Sequence, residues 1–248
     1  PQPLSFPRGS WQIAPMSTLT TIGFDADDTL WENEHFFRLT EAHFAELLAD
    51  YAEPEHLAAR LLDAEKRNLA HYGFGIKGFT LSMIETAIEI TDGKVPGDII
   101  GRIVAAGREM LSHPVNTLPH VHDTLEVLTA SHTLVLITKG DLFDQERKLA
   151  QSGLGEFFNA VEIVSDKSRA TYSTAFARHG DGPERAMMVG NSLRSDVLPA
   201  IQAGGWGTYV PHDLTWDYER AEEPANLPRF TKIETLADLA PLIERLKG

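Results

Sequence analysis

Short apolar segments that alternate with helical segments are the feature that most limits how this chain can fold. Six segments have strand character, the last as a short edge strand: one starting at Leu19, then 133–138, 160–165, 186–191, 207–210 and 229–233. Helical patterns follow at 141–152, 171–179 and 196–203, and the first of these places Leu142, Phe143, Arg147 and Leu149 near one face. Strands that alternate with helices predict right-handed βαβ units and a parallel sheet covered on both faces. We therefore predict an α/β fold.

The region from 33 to 115 contains no strand pattern. An apolar run with helical spacing (Phe36, Phe37, Leu39, Phe44, Leu47, Leu48, Tyr51) predicts a first helix. Further helices are predicted from Pro54 to about Tyr72, from Phe79 to Thr91 and from Pro96 to Leu111. The predicted organisation is an N-terminal tail at 1–17, a split core at 18–32 and 116–248, and an inserted all-helical domain at 33–115.

Charge and cysteine content exclude several functions. Lys and Arg number 22 against 36 Asp and Glu, so the net charge is −14. Such a charge repels phosphate backbones and anionic lipid surfaces, and we expect neither nucleic acid nor a membrane as partner. Because there is no cysteine, disulfides, thiolate-bound zinc and a cysteine nucleophile are excluded. The first residues lack the apolar stretch of a signal peptide, so we expect a cytoplasmic protein.

Polar residues stand after four of the predicted strands. They are Asp25, Asp27 and Asp28 after the first, Thr138, Lys139, Gly140 and Asp141 after the second, Asp166 and Lys167 after the third, and Gly190, Asn191, Ser192 and Asp196 after the fourth. Ligands of parallel sheets bind beyond these strand ends. Asp25 and Asp27 point to the same side of an extended chain and repel each other unless a cation or a proton lies between them. Mg²⁺ is the simplest such cation, while Lys167 and Thr138 offer a charge and a hydroxyl to a phosphoryl group.

Taken in order, these residues resemble the four motifs of the haloacid dehalogenase superfamily, in its phosphatase branch with a type 1 helical cap. The matching residues are Asp25-Ala-Asp27-Asp28-Thr29, Thr138, Lys167, and Gly190-Asn191-Ser192 with Asp196. Stretches from Lys148 to Leu154 and from 188 to 197 are similar as well, and the likeness runs from about 20 to 209. It implies a Rossmann-like core, a helical cap at 33–115 and Mg²⁺-dependent hydrolysis of a small phosphorylated metabolite.

The resemblance also implies a role for each matching residue. Asp25 would be the nucleophile that forms an aspartyl-phosphate. Asp27 would be the general acid that protonates the leaving alcohol and later activates water. Thr138 would bind the transferring phosphoryl group, and Lys167 would neutralise both that group and Asp25.

The implied Mg²⁺ ligands are Asp25, Asp27 through its backbone carbonyl, Asn191 and Asp196. Two of the residues depart from the family pattern. Asp28 stands where the family often has glycine. Asn191 replaces the usual first acid of the fourth motif, so one negative charge is lost, and a catalytically weak phosphometabolite-binding protein remains an alternative.

Asp27 separates the branches of the superfamily. Dehalogenases of the family have a first motif similar to D-x-Y-G-T and need no metal, because a halide leaving group requires no protonation. An acid two residues after the nucleophile indicates an alkoxide leaving group, so 2-haloacid dehalogenation is disfavoured. A phosphoryl transferase such as a phosphomutase would use the same Asp25 and Asp27 and stays open.

Two lysines are further candidates for substrate binding. Lys139 directly follows Thr138 at the end of a predicted strand. Lys77 lies in the glycine-rich stretch 73–78, which follows a helix and therefore lacks the context of a dinucleotide-binding loop. Such cap loops face the catalytic centre in the family, which makes Lys77 a candidate substrate contact, with a solvated lysine as the alternative.

Overall fold

A six-stranded parallel sheet forms the centre of the computed structural model, which describes residues 19–247. The strands are β1 (Thr21–Phe24), β2 (Thr133–Lys139), β3 (Ala160–Val164), β4 (Ala186–Gly190), β5 (Trp206–Tyr209) and β6 (Phe230–Lys232). Their order is β3-β2-β1-β4-β5-β6, with every neighbouring pair parallel. This is the strand order of the Rossmann fold, and it confirms the predicted α/β class. The predicted tail at 1–17 and Thr18 lie outside the described residues.

The helices begin and end at local signals. They are α1 (Glu34–Leu47), α2 (Pro54–Tyr72), α3 (Ile76–Ile90), α4 (Gly97–Met110), α5 (Val121–Thr129), α6 (Leu142–Ser152), α7 (Arg169–His179), α8 (Leu198–Gln202) and α9 (Leu239–Lys247). The Asp141 side chain caps α6 by accepting a hydrogen bond from the Asp144 N–H at 3.1 Å, and Gly153 ends the helix at φ 71°. Between residues 19 and 247, no helix is long and apolar enough to cross a bilayer.

Both faces of the sheet are buried because strand residues alternate between two hydrophobic layers. Leu134 and Leu136 of β2 pack in one layer with α5 and α9. Val135 and Ile137 pack in the other, against Tyr172 and its neighbours on α7. Full burial of each such side chain contributes about 1.5–3 kcal/mol, which explains the continuous apolar runs of the central strands.

Helices α1 to α4 form an insertion between β1 and α5 with a hydrophobic core of its own. That core is made of Phe44, Leu47, Leu48, Leu57, Leu61, Ile76, Phe79, Met83, Ala87, Ile99, Ile103 and Met110. The four predicted helices are present here, although the third begins at Ile76, before the predicted Phe79. The two chain segments that join the insertion to the sheet run side by side, since the Glu32 N–H donates to the Asn116 carbonyl at 3.0 Å.

Two helical predictions need correction near the sheet edge. The helix predicted from Asp196 begins at Leu198, because residues 193–197 form a π-helical turn in which Asp196 accepts a hydrogen bond from the Ser192 N–H at 3.0 Å. On α6, two residues of the predicted face lie in water, with Leu142 59% and Phe143 69% exposed, whereas Leu149 packs against the core and Gln145 and Lys148 are buried. Helix α6 therefore turns a polar face inward, toward the end of β2.

Gly23 on β1 gives a direct test of the packing. A Cβ atom there would lie 3.0 Å from Phe176 Cε1 and 3.1 Å from Met188 Sδ. We expect Gly23→Val to lower the free energy of unfolding by about 1–3 kcal/mol through overpacking, as measured by urea denaturation. Gly101→Ala on α4, where a Cβ meets open space, is the control and should be stabilising. A Gly23→Val protein as stable as the parent would contradict this packing.

Candidate active site

A cavity lies where the carboxyl ends of the strands meet the helical insertion. The sheet side is lined by Asp25, Asp27, Asp28, Thr138, Lys139, Gly140, Gln145, Lys148, Lys167, Asn191, Ser192, Ser195, Asp196, Trp216 and Glu219 among others. The insertion side includes Glu34, Phe37, Glu41, Glu65, Asn68, Leu69, Phe74, Ile76, Phe79 and Ser82. The strand-end residues predicted from the sequence are thus brought together on one side of this cavity.

Three charged side chains are buried together at the centre of the sheet edge. The Lys167 ammonium donates to the Asp25 carboxylate and, at 2.7 Å, to Asp196 Oδ1. Burial and the nearby Asp196 raise the pKa of Asp25 to about 7, although Lys167 opposes the shift. Burial alone would lower the pKa of Lys167, but the two carboxylates outweigh it and raise that pKa above its usual value. One ammonium thus pairs with two carboxylates, so this buried cluster carries an excess of negative charge.

Asp27 is held by hydrogen bonds on both carboxylate oxygens. Oδ1 accepts from Trp31 Nε1 at 2.7 Å and from Lys148 Nζ at 2.6 Å, and Oδ2 accepts from Gln145 Nε2 at 2.9 Å. Burial alone would raise the pKa of Asp27, but Lys148 and these hydrogen bonds hold it below its usual value. The Asp27 carboxylate is therefore fixed in orientation, two residues after Asp25.

Asp28 fixes the start of the insertion. Its φ of 57° lies in the left-handed region, which glycine and, less often, Asp adopt. Its carboxylate accepts hydrogen bonds from the N–H groups of Asn33 at 2.9 Å and Glu34 at about 3.0 Å. Burial raises the pKa of Asp28 to about 6. Asp28 thus adopts a backbone conformation that favours glycine, and its side chain caps the start of α1.

The oxygen atoms that suit a metal ion lie in the same part of the cavity. Asp25, Asp27, Asn191 and Asp196 all line it, and Asn191 Oδ1 accepts from the Thr29 hydroxyl at 3.3 Å. In the described part of the chain, no three His, Cys, Asp or Glu side chains could hold a metal by themselves. The donor set is therefore carboxylate, amide and backbone oxygen, which fits the hard, partly hydrated Mg²⁺ ion.

The two predicted substrate-binding lysines have protein partners. Lys139 Nζ pairs with Glu219, donates to Ser195 Oγ at 2.8 Å and lies 4.1 Å from the centre of the Phe74 ring. Lys77 pairs with Asp141 at 2.9 Å and is not among the described residues that line the cavity. Lys139 thus ties the sheet to the insertion, and a substrate contact by Lys77 stays a prediction.

The insertion side of the cavity carries several carboxyl groups. Burial raises the pKa of Glu34 to about 7 and that of Glu65 to about 8, and neighbouring carboxylates add to each shift. Arg38 pairs with Glu34 and Glu41. The insertion side of the cavity therefore contributes carboxyl groups and aromatic rings, whereas lysines cluster on the sheet side.

Sequence reasoning missed four residues of the site. Gln145 and Lys148 are three apart on α6, and a polar face directly after β2 was a signal for them. Trp31 was part of no motif. Glu219 lies 80 residues after Lys139, its ion-pair partner, and no local pattern connects the two.

With this geometry in place, similarity to known proteins decides the family. A model of the haloacid dehalogenase-like hydrolase family matches residues 19–204. The chain belongs to this family. It is similar to a glyceraldehyde 3-phosphate phosphatase from Methanothermobacter thermautotrophicus, with 26% identity over 91% of this chain and 100% of that protein. A pyrimidine 5'-nucleotidase from Streptococcus pneumoniae is 31% identical over 42% of this chain and 47% of that protein.

Solved structures of the haloacid dehalogenase family share the fold. A haloacid dehalogenase-like hydrolase from Xanthomonas campestris superposes with a TM-score of 0.81 at 41% identity, covering 93% of this chain and 92% of that one. An L-2-haloacid dehalogenase from Xanthobacter autotrophicus superposes with a TM-score of 0.63 at 18% identity, covering 91% and 98%. The second likeness shows the fold alone, so the chemistry has to be argued from the site.

The half-buried carboxyl group of Glu65, whose pKa is raised, predicts a pH-dependent stability. Folded protein keeps the Glu65 proton up to about pH 8, whereas the unfolded chain releases it near 4.5, so this group lowers the free energy of unfolding as pH rises between these values. The free energy of unfolding of Glu65→Gln should therefore equal that of the parent near pH 4.5 and exceed it by about 1–2 kcal/mol at pH 8. Denaturant titrations at both pH values measure this difference. Asp63→Asn, an exposed carboxylate on the same helix, should show no such trend. If the difference in unfolding free energy between Glu65→Gln and the parent did not change with pH, this would contradict the raised pKa of Glu65.

Proposed function

We propose that the protein is a Mg²⁺-dependent phosphomonoesterase that acts on a small phosphorylated metabolite through an aspartyl-phosphate on Asp25. The observation that carries this proposal is the carboxylate of Asp27, held in the cavity two residues after Asp25. A phosphate ester needs a proton donor for its leaving oxygen, and a halide does not. The phosphatase and nucleotidase named among the relatives support the same reaction class.

The chain supplies a residue for each step. Asp25 attacks phosphorus, the P–O bond to the leaving group breaks, and the leaving oxygen takes a proton from Asp27. Lys167, already bonded to Asp25, balances negative charge on the phosphoryl group, and the Thr138 hydroxyl binds that group. Asp27, now a carboxylate, then accepts a proton from the water that attacks the aspartyl-phosphate.

Protonation of Asp27 follows from substrate binding. With the cavity empty of anions, Lys148 favours the carboxylate form of Asp27. A bound phosphate group adds negative charge beside it, which favours the protonated acid. When bound, Mg²⁺ would neutralise phosphate charge and orient the ester for attack; the residues that would hold it are Asp25, the Asp27 backbone carbonyl, Asn191 and Asp196.

We also propose that residues 33–115 act as a cap on a core made of 18–32 and 116–248. The paired segments at Glu32 and Asn116 mark a two-stranded connection, with a further bridge between Trp31 and Thr117. Insertion residues close the cavity over the sheet edge, where Phe74 lies against Lys139. Exclusion of water by this cap protects the aspartyl-phosphate from uncontrolled hydrolysis.

Phosphate release tests the proposed reaction. We expect purified protein to release phosphate from members of a panel of sugar phosphates, phosphoglycolate and nucleotides, with loss of activity in EDTA and recovery on Mg²⁺ addition. Asp25→Asn should lower kcat by about a thousandfold or more, since it removes the nucleophile.

Transfer of phosphate to a sugar instead of water would favour the phosphomutase alternative, and chloride release from 2-chloropropionate would favour the dehalogenase. No turnover on any substrate, or an active Asp25→Asn protein, would contradict the proposal.

Asn191 gives a separate test of the metal site. Asn191→Asp restores a negative charge at the cavity, and cation affinity rises with the charge of the ligands. We expect the Mg²⁺ concentration for half-maximal activity to fall by about tenfold. Calorimetric Mg²⁺ titration without substrate should show the same shift. Unchanged affinity in both measurements would place the cation elsewhere.

A further inference from the structure

We infer that Lys148 and Gln145, on the buried polar face of α6, are positioning residues that hold Asp27 in the orientation needed to protonate the leaving group. The inference rests on the proposed phosphomonoesterase activity and extends it to residues outside the four motifs. Neither side chain needs to touch the substrate, because both act through the Asp27 carboxylate.

The Asp27 carboxylate is held at both of its oxygens by residues of α6. Lys148 and Gln145 bond to different oxygens of its carboxylate, at 2.6 Å and 2.9 Å. A carboxylate bonded on both oxygens cannot rotate freely, so the direction in which it offers a proton is set before substrate binds. The Asp27 side chain is 23% exposed and that of Lys148 only 8%. All three side chains line the cavity, and the Asp27 carboxylate is more open to it than the Lys148 ammonium.

Gln145 and Lys148 are themselves fixed by further hydrogen bonds. Gln145 Nε2 also donates to the Lys139 carbonyl at 3.0 Å, so both of its protons go to acceptors, and this fixes which amide atom faces Asp27. Lys148 Nζ also donates to Asn33 Oδ1 at 3.1 Å, at the start of the insertion. A Cβ on Gly140 would lie 2.8 Å from Gln145 Nε2, so the glycine leaves room for this amide.

The orientation of α6 is unfavourable for stability. Helix α6 leaves Leu142 and Phe143 exposed while it buries Gln145 and Lys148. Burial of an ammonium and an amide costs free energy unless each is fully bonded, and apolar side chains on that face would stabilise the helix more. Leu149 still packs against the core, but a helix that buries two polar side chains while two apolar side chains lie in water departs from what stability alone favours, which points to a role in the site.

The chemistry predicts a specific signature. When the leaving oxygen takes the Asp27 proton, the resulting carboxylate is stabilised by the Lys148 ammonium and the Gln145 amide. An alkyl phosphate releases a strongly basic alkoxide and depends on this proton, whereas p-nitrophenyl phosphate releases a weakly basic phenolate and does not. Loss of a positioning residue should therefore affect alkyl esters far more than p-nitrophenyl phosphate.

The experiment compares kcat/KM for propyl phosphate and p-nitrophenyl phosphate, with Mg²⁺ present, in the parent and in four variants. For Lys148→Met and Gln145→Leu we expect a loss of about 10- to 100-fold with propyl phosphate and less than about threefold with p-nitrophenyl phosphate. Lys148→Arg should recover most of the loss. Glu146→Gln, an exposed residue of α6, is the control and should leave both values unchanged.

A double-mutant cycle completes the test. If Lys148 acts through Asp27, then Lys148→Met should cause no further loss with propyl phosphate in an Asp27→Asn background. Equal losses with both substrates, or additive losses in the cycle, would overturn the inference while the parent activity still supported the phosphomonoesterase. If Lys148→Met does not fold, as judged by circular dichroism, the Gln145→Leu result decides. A parent that hydrolyses neither these two esters nor any member of the substrate panel would overturn the proposed function and this inference together.

Discussion

The ion pairs of one buried ammonium with two buried carboxylates are the interaction on which the site depends. Lys167 joins Asp25, directly after β1, and Asp196, in the π-helical turn after β4, and both carboxylates are almost completely buried. Buried charges of this kind persist only when each is paired and hydrogen-bonded. The parallel sheet meets that condition because the carboxyl ends of three strands bring the groups to one edge. The remaining excess of negative charge is what makes the same edge attractive to a metal cation.

A second charged group depends on this arrangement. The Asp27 carboxylate lies close to that of Asp25 and has to be held away from it, because the two repel each other. Helix α6 holds it through Lys148 and Gln145. Helix α6 consequently departs from the usual inward-apolar pattern. The insertion joins at the same place, since Asp28 caps its first helix and Lys148 bonds Asn33. The Asp27 carboxylate, helix α6 and the helical insertion are thus connected through a few residues after β1.

Much of the fold and part of the site were predictable from sequence because their signals are local. Strand pattern, helix-terminating glycines and polar residues at strand ends gave the α/β class, the helical insertion and the residues now found along the sheet edge. Burial of the polar face of α6 was not predicted because apolar periodicity indicates only apolar contacts, whereas Gln145 and Lys148 are buried against the Asp27 carboxylate. Glu219 was missed because its contact with Lys139 depends on the tertiary path of the loop after β5. The partners of Lys77 and Lys139 depend in the same way on how the insertion meets the sheet.

A covalent phosphoryl group on Asp25 is the most direct consequence of the proposed mechanism. It can be measured by rapid acid quench of enzyme turning over a good substrate with Mg²⁺, followed by mass spectrometry of the peptide that spans β1. The mechanism predicts that this peptide gains the mass of one phosphoryl group, that hydroxylamine removes it, and that Asp25→Asn abolishes it. Rapid phosphate release with no label at Asp25, or with the label on another residue, would contradict it.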